Sequence, residues 1–186
     1  MKVLAISGSL RRDSSNTRLL RALAEEAPSG VDVLLWEGLR EIPPYDGDDD
    51  VEPGPGEVVA LRAAVAEADA VIFATPEYNS SVPGALKNAL DWASRPYATN
   101  SFRNKPVAVV GASSGAFGAV WAQAELRKVL GTMGARVADT EVAVGHADGK
   151  FSDDGELLDL GVRAELGNAL AVLVEAVEGR RLATAA

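Results

Sequence analysis

The sequence predicts a three-layer α/β fold in which a five-stranded parallel sheet lies between two layers of helices. Five short runs of β-branched and apolar residues are continuous rather than alternating, as in strands that are buried on both faces. Segments with a helical period separate these runs. Strands and helices that alternate in this way need right-handed crossovers, which place helices on both faces of a parallel sheet. A chain of 186 residues suits one such domain.

The predicted strands are five in number and come in chain order. They are Lys2–Ser7, Asp32–Trp36, Ala70–Thr75, Pro106–Ala112 and a last strand at about Arg136–Val144. Five strands joined by crossover helices favour a flavodoxin-like sheet with the strand order 2-1-3-4-5.

The predicted helices follow the strands. They are Asn16–Ala27, Gly56–Ala68, Pro83–Ala93, Gly118–Met133 and Leu157–Val177. In the first of them Leu19, Leu20 and Leu23 form one apolar stripe. Pro83 begins the third, where a residue without an N–H group costs no helical hydrogen bond.

The segment 37–55 has no clear period and carries prolines and the acidic run Asp46–Asp50. We expect a solvated surface loop near the ligand edge, or equally a poorly ordered excursion. We see no domain boundary, and we therefore expect a single domain over residues 1–186, with a tail that frays from about residue 180.

Composition excludes several classes of protein. The net charge is −9 and the chain has no Lys/Arg cluster larger than short pairs such as Arg11–Arg12 and Arg180–Arg181, so we expect no nucleic-acid partner. The chain has no cysteine and a single histidine, His146, which excludes thiol chemistry and argues against a metal site. The opening apolar run, Val3–Ile6, is too short for a signal peptide and no stretch could cross a bilayer, so we expect a cytoplasmic protein without a membrane partner.

Three unusual loops follow the first, third and fourth strands, whose carboxyl ends meet at one edge of the sheet. The first loop, Ser7–Thr17, is dense in hydroxyl groups and runs into a helix N-terminus, which favours an anion. Arg11 adds a guanidinium suited to phosphate. The loop lacks the glycine spacing of nucleoside-triphosphate and dinucleotide sites, so a ligand with one terminal phosphate fits it better. Its candidate ligands are Ser9, Arg11, Ser14, Ser15 and Asn16; a helix cap would account for only one of them.

The other two loops suit a flat ring. In the second loop, Thr75–Pro83, Tyr78 offers a stacking face and Asn79 offers amide groups for a ring edge, although a simple proline-bracketed turn would also explain this sequence. The third loop, Gly111–Gly118, has glycines that allow the backbone to approach a planar ligand. A phosphate site, an aromatic side chain and a glycine-rich edge together predict a pocket for FMN, which would carry the electrons in a chain without thiols.

Two motifs resemble the NADPH-dependent FMN reductase family, which includes quinone, azo-dye and chromate reductases. GSLRRDSSN, residues 8–16, fits the pattern G-S-L-R-x-x-S-x-N. PEYNSSVPGALKNALDW, residues 76–92, fits P-E-Y-N-x-S-x-P-G-x-L-K-N-A-[IL]-D-W. The third motif departs from the family's G-G-x-R-x-Q, because Ala119 and Trp121 stand at the second glycine and the arginine. We expect Trp121 to pack against a neighbouring helix.

The resemblance implies a set of site residues. The first loop would hold the FMN phosphate through the five candidates above, Pro76, Glu77, Tyr78 and Asn79 would line the ribityl chain and the ring, and Ser113, Gly115 and Phe117 would border the ring. Glu77 is expected to be structural or flavin-adjacent rather than a general acid. No catalytic side chain is required, because the flavin carries the hydride.

The resemblance also implies an activity: an FMN-dependent NAD(P)H oxidoreductase that passes two electrons by ping-pong hydride transfer to a quinone, free flavin, azo compound or metal oxyanion. Family members form dimers or tetramers, so a homodimer or homotetramer is expected. Two alternatives stay open, a flavodoxin-like electron carrier and a flavin-binding sensor without NAD(P)H turnover. The sequence does not choose between NADH and NADPH.

We further expect Lys87 and Asp91 to form a surface or interface ion pair and His146 to be exposed.

Overall fold

The computed structural model describes residues 1–185, with side chains through residue 182. Its strands are β1 (Lys2–Ser7), β2 (Asp32–Trp36), β3 (Ala70–Thr75), β4 (Pro106–Ala112), β5 (Arg136–Val137) and β6 (Ala143–Val144). Its helices are α1 (Ser15–Glu25), α2 (Gly56–Glu67), α3 (Gly84–Ala93), α4 (Val120–Thr132) and α5 (Leu160–Ala185). None of the helices within this range is long and apolar enough to cross a membrane.

All strand pairs are parallel, and the order β2-β1-β3-β4-β5 confirms the predicted topology. The sheet separates two apolar layers. One face of the sheet packs against α1 and α5, for example through Leu19 and Leu170. The opposite face packs against α2, α3 and α4, for example through Leu61, Leu90 and Leu126. β3 and β4 are buried along their whole length, as continuous apolar runs predict.

The fifth strand differs from the prediction, because Arg136–Val144 does not form one strand. β5 and β6 both pair with β4, but β4 advances four residues from Val107 to Gly111 while its partner advances six from Val137 to Ala143. The Ala138 N–H still donates to the Val107 carbonyl at 2.7 Å and the Val142 carbonyl accepts from the Gly111 N–H at 2.9 Å, whereas residues 139–141 between them bulge away from β4. Their place is taken by Arg127 of α4, whose Nη2 donates to the Val109 carbonyl of β4 at 3.0 Å and to the Thr140 carbonyl of the bulge. Burial lowers the pKa of Arg127, while Glu141 and Asp139 act in the opposite direction.

The segment 37–55 is an ordered loop with two short 3-10 turns, at Gly38–Glu41 and Gly47–Asp49. Two side chains of α3 hold it. The Trp92 indole N–H and the Asn88 amide donate to the Pro43 carbonyl at 2.9 and 2.8 Å, and Asn88 Oδ1 accepts from the Tyr45 N–H at 2.7 Å. The Tyr45 ring meets Trp92 edge to face, with ring centroids 4.9 Å apart. These contacts hold the loop against α3, and its residues Asp46, Asp48 and Asp49 are exposed.

Helix α5 begins later and extends further than predicted. Asp159 caps its first turn by accepting from the Gly161 and Val162 N–H groups at 2.9 and 3.1 Å. The helix continues through Ala185, beyond the residue at which the sequence predicts fraying. Arg181 donates to Asp69 at 2.8 Å, which ties this end of the helix to the turn before β3. Ala186 lies outside the described residues.

The Arg127→Met substitution should lower the free energy of unfolding by about 2 kcal/mol, because the buried Val109 carbonyl would lose its charged donor. Urea denaturation followed by circular dichroism measures this change. Lys128→Met removes a charge from the next, exposed position of α4 and serves as the matched control. Equal effects of the two substitutions would contradict the role assigned to Arg127 in the bulge.

Candidate functional site

The three loops meet at the carboxyl edge of the sheet. β1 lies between β2 and β3, so consecutive crossovers run to opposite sides of β1 and leave a crevice at its end. The first loop continues β1 into this crevice, with the Gly8 N–H donating to the Ala74 carbonyl at 2.8 Å. A Cβ atom at Gly8 would lie 2.9 Å from a Leu86 methyl carbon, so glycine lets the loop pass close to α3. The fold thus places this loop at the carboxyl edge of the sheet, where a ligand site remains a prediction.

The first loop divides its polar side chains between two tasks. Ser14 is buried and caps α1, because its Oγ accepts from the Thr17 N–H at 3.3 Å. Asn16 is also buried, and its amide makes two 2.9 Å hydrogen bonds with the backbone N–H and carbonyl of Ala112 at the end of β4. These two side chains therefore hold the loop in shape. Ser9 and Ser15 are partly exposed and Arg11 is exposed.

The N-terminus of α1 offers backbone donors to an anion. Within the described residues the N–H groups of Ser15 and Asn16 have no protein acceptor, as expected for the first positions of a helix. The Ser9 Oγ accepts from the Arg11 N–H at 3.3 Å, and Arg11 donates weakly to the Asp13 carbonyl at 3.4 Å. A helix N-terminus, hydroxyl groups and an arginine that makes no ion pair in this part of the chain can bind a phosphate.

The second loop is a tight turn. Tyr78 and Ser81 exchange backbone hydrogen bonds of 3.1 and 3.2 Å, and the two residues between them have positive φ angles, 54° at Asn79 and 59° at Ser80. Both side chains point outward from the turn tip and are exposed, while Pro76 is buried. The Tyr78 side chain is half-exposed. Its ring is therefore accessible at the surface, and the stacking role predicted for it stays a prediction.

Glu77 links the second loop to α4. Its Oε2 accepts from the N–H groups of Trp121 and Ala122, both at 3.1 Å, and so caps the N-terminus of this helix. Glu125, one turn further along α4, accepts from the Ser81 hydroxyl at 2.5 Å and the Val82 N–H at 3.4 Å. A carboxylate at a helix N-terminus is stabilised by the helix dipole. The contacts of Glu77 match the structural role expected from the sequence.

The third loop packs closely on the segment that follows β6. Backbone N–H groups of His146 and Ala147 donate to carbonyls of the third loop, at Gly115 and Ser113, at 3.0 Å each. A Cβ atom at Gly118 would lie 2.3 Å from the Ala143 carbonyl carbon, and Gly118 has a φ of 57°. Only glycine fits there. Ala119 also has a positive φ of 63°, a conformation that glycine adopts at a lower cost than alanine.

Two aromatic rings stand exposed beside the third loop. Phe117 is 64% exposed and Trp121 is 50% exposed, and their centroids are 5.2 Å apart in an edge-to-face contact. The prediction that Trp121 packs against a neighbouring helix is wrong, because α4 directs it outward and Phe117 is its aromatic partner. Exposed rings of this size form an apolar surface next to the crevice.

Other sequence predictions concern residues near this edge. His146 is exposed, and Lys87 Nζ contacts Asp91 at 2.7 Å on the surface of α3, as expected.

Sequence reasoning missed Gln123, whose buried amide donates to the Gly118 and Val142 carbonyls at 2.9 and 3.1 Å. Gln123 occupies the last position of the pattern G-G-x-R-x-Q, and this match could have identified it as a site residue. Groups with shifted pKa values lie elsewhere, such as Lys105, whose pKa burial lowers.

Comparison with known proteins gives matches over most of the chain. The family model described as NADPH-dependent FMN reductase matches residues 1–149. A quinone reductase of Pseudomonas putida strain KT2440 is 40% identical over 158 residues, which cover 84% of each chain. An NAD(P)H-dependent FMN reductase of Pseudomonas aeruginosa is 42% identical over 160 residues, 86% of this chain and 85% of the relative.

A solved structure is similar over nearly the whole length. The flavoenzyme NAD(P)H:(acceptor) oxidoreductase FerB from Paracoccus denitrificans superposes with a TM-score of 0.86 and 35% identity, covering 96% of this chain and 97% of that chain. A 2-hydroxy-1,4-benzoquinone reductase from a Burkholderia species is 37% identical over 167 residues, 89% of this chain and 90% of the relative.

The Glu77→Ala substitution should lower the free energy of unfolding by about 1 kcal/mol, because α4 would lose its cap. Glu77→Gln keeps an oxygen acceptor and loses only the charge, so its loss should be less than half as large. Thermal or urea unfolding of the two variants gives both values. A larger loss for Glu77→Gln than for Glu77→Ala would refute the capping role.

Proposed function

The chain belongs to the NADPH-dependent FMN reductase family, and from that premise we propose that it binds FMN at the three-loop edge and uses it to oxidise NAD(P)H. Two electrons would pass to a small acceptor by ping-pong hydride transfer. As a member of this family the chain is an oxidoreductase of flavodoxin-like fold. The observation that carries the proposal is the meeting of an anion-binding helix N-terminus with exposed aromatic rings at one end of the sheet.

The residues of the first loop fit the phosphate of FMN. The N–H groups of Ser15 and Asn16 are open to an acceptor, the Ser9 and Ser15 hydroxyl groups are accessible, and Arg11 supplies a positive charge. Ser14 and Asn16 would contribute through position, because their side chains fix the backbone that carries these donors. The loop lacks the glycine pattern that a diphosphate needs, which favours a ligand with a single terminal phosphate.

The other two loops fit a planar ring. Tyr78 and Asn79 project from the turn of the second loop beside buried Pro76. In the third loop, Ser113 and Gly115 bring backbone groups near the crevice, and Phe117 adds an apolar face. We propose that these residues line the flavin, with Glu77 keeping the second loop in register with α4. FMN, when bound, supplies the two-electron hydride chemistry that the side chains of this chain lack.

The exposed rings favour flat, uncharged acceptors. Phe117 and Trp121 present apolar surface on which a nicotinamide or a quinone could stack in turn, in keeping with a ping-pong scheme. Trp121 stands where the family pattern has arginine, so this position lacks a charge that would attract an anionic acceptor. The relatives named quinone reductase and 2-hydroxy-1,4-benzoquinone reductase support a quinone as acceptor. We further propose a homodimer or homotetramer in which this apolar surface lies near the subunit contact.

Anaerobic reduction tests the proposed activity. The purified protein loaded with FMN should show an oxidised flavin spectrum that NADPH bleaches, and a quinone added afterwards should restore it. Stopped-flow absorbance measures both half-reactions separately, as a ping-pong scheme requires. An electron carrier or a sensor would bind FMN and keep its oxidised spectrum when NADPH is added, and that result would overturn the proposal.

The Arg11→Ala substitution tests the phosphate site. Loss of one charge-assisted hydrogen bond, about 1.5–3 kcal/mol, should weaken FMN binding by about ten- to a hundred-fold. Riboflavin, which has no phosphate, should bind the variant and the parent equally. Fluorescence titration of both ligands into both proteins gives the four dissociation constants.

The matched control for this titration is Arg18→Ala, which removes a charge from α1 further from the loop. Equal FMN affinities of Arg11→Ala and the parent protein would show that Arg11 has no part in phosphate binding. Equal weakening of FMN and riboflavin would place the effect in the loop conformation and would also contradict the proposed contact.

A further inference from the structure

A second pocket lies on the β2 side of the first loop and collects arginine side chains. Arg11 and Arg12 come from the loop itself, Arg21 from α1 and Arg40 from the 3-10 turn after β2. Glu37 is the single carboxylate among its described lining residues, in a chain with a net charge of −9. Four guanidinium groups facing one carboxylate create a local positive potential that suits a multiply charged anion.

These arginines are not neutralised by the protein. Within the described part of the chain, no carboxylate lies within 4 Å of the guanidinium groups of Arg12, Arg21 or Arg40. Arg12 and Arg21 also border a neighbouring groove that contains five carboxylates, yet form no ion pair there. Arg40 donates to the Leu10 carbonyl at 2.5 Å, which attaches the wall of the pocket to the first loop and leaves its other N–H groups for a ligand.

Beside the hydroxyl groups of Ser7, Ser9 and Thr17, the pocket has an apolar wall. Leu35 and Trp36 at the end of β2 and Leu39 in the following turn line it. A Cβ atom at Gly38 would lie 2.6 Å from the Trp36 ring, so the turn passes directly over the indole and fixes it. An aromatic ring and two leucines beside four guanidinium groups match the two chemical parts of a phosphorylated nucleoside, a flat base and a dianion.

The pocket is distinct from the edge proposed for FMN. Six residues of the first loop line it, and two of them, Ser9 and Arg11, are also candidates for the FMN phosphate. No residue of the second loop and none of the third loop's Ser113–Gly118 line it. It is instead built on β2, which lies on the opposite side of β1 from β3. The first loop therefore separates two anion sites, one facing the helix N-terminus and one facing Arg21 and Arg40.

We propose that this second pocket binds the 2′-phosphorylated adenosine half of NADPH, with Arg12, Arg21 and Arg40 at the 2′-phosphate and Trp36 beside the adenine. This inference rests on the proposed oxidation of NAD(P)H and assigns its nucleotide specificity. The pocket makes NADPH the preferred donor over NADH, because NADH lacks the phosphate that the arginines bind. A nucleotide of this size would cross the first loop with its nicotinamide half directed to the crevice.

A matched pair of ligands tests the pocket without turnover. Adenosine 2′,5′-bisphosphate and adenosine 5′-monophosphate differ only in the 2′-phosphate, and calorimetry gives their affinities for the FMN-loaded protein. We expect the bisphosphate to bind at least about tenfold more tightly. The double variant Arg12→Gln/Arg21→Gln should abolish that difference. The control Arg18→Gln removes the same charge from α1 outside the pocket and should retain it.

Several outcomes would overturn the proposal. Equal affinities of the parent protein for the two nucleotides would remove the 2′-phosphate site. Inorganic phosphate that binds as tightly as the bisphosphate would show a simple anion site without adenosine. Loss of FMN rather than nucleotide in the double variant would assign these arginines to the flavin.

Steady-state kinetics separates this proposal from the proposed function. We expect the ratio of the NADPH KM to the NADH KM to rise about tenfold in the double variant. A difference between the two nucleotides without any NADPH oxidation would support the pocket and overturn the reductase activity. NADPH oxidation by a protein that binds both nucleotides equally would support the reductase activity and overturn the pocket.

Discussion

The ligand edge of this molecule depends on one side chain, Asn16, and its two hydrogen bonds to Ala112. Gly111 and Ser113 direct their N–H groups toward the Val142 and Val144 carbonyls, so the polar groups of Ala112 point to the other side of β4. There β3 has ended, because its last pairing joins Thr75 to Gly111. The Asn16 amide takes the place of β3 as the hydrogen-bonding partner of Ala112, with both bonds at 2.9 Å. Without it two buried backbone groups would lack partners, at a cost of about 1–3 kcal/mol each.

The same contact fixes the distance between two parts of the proposed flavin site. Asn16 lies in the first turn of α1 and Ala112 is 96 residues away, at the start of the third loop. Two buried hydrogen bonds thus link the helix N-terminus that would receive a phosphate to the loop that would border the ring. α4 is held to the second loop in a similar way, through Glu77 and Glu125. Side-chain to backbone hydrogen bonds, rather than strand pairing, shape this end of the sheet.

Much of the fold could be predicted from the sequence, since buried parallel strands are marked by their own residues. The first four strands have the predicted bounds. The fifth does not, because its bulge depends on Arg127, a residue of another element whose partner carbonyls carry no sequence signal. The site shows the same limit. A motif identified Asn16 as polar and near a ligand, but only the fold shows that Ala112 engages its side chain. Trp121 was misassigned because an aromatic residue on a helix is more often buried than exposed.

The charge distribution connects the two anion sites to the acidity of the whole chain. At physiological ionic strength, fields from exposed charges decay over about 8 Å. The net charge of −9 therefore exerts only a weak, screened repulsion on a phosphorylated ligand in solution. Inside a pocket the nearest groups dominate. The first loop places Arg11 and Arg12 between a helix N-terminus on one side and Arg21 and Arg40 on the other. If both proposed sites exist, an acidic chain would hold two phosphates close together because one short loop supplies cationic groups to both.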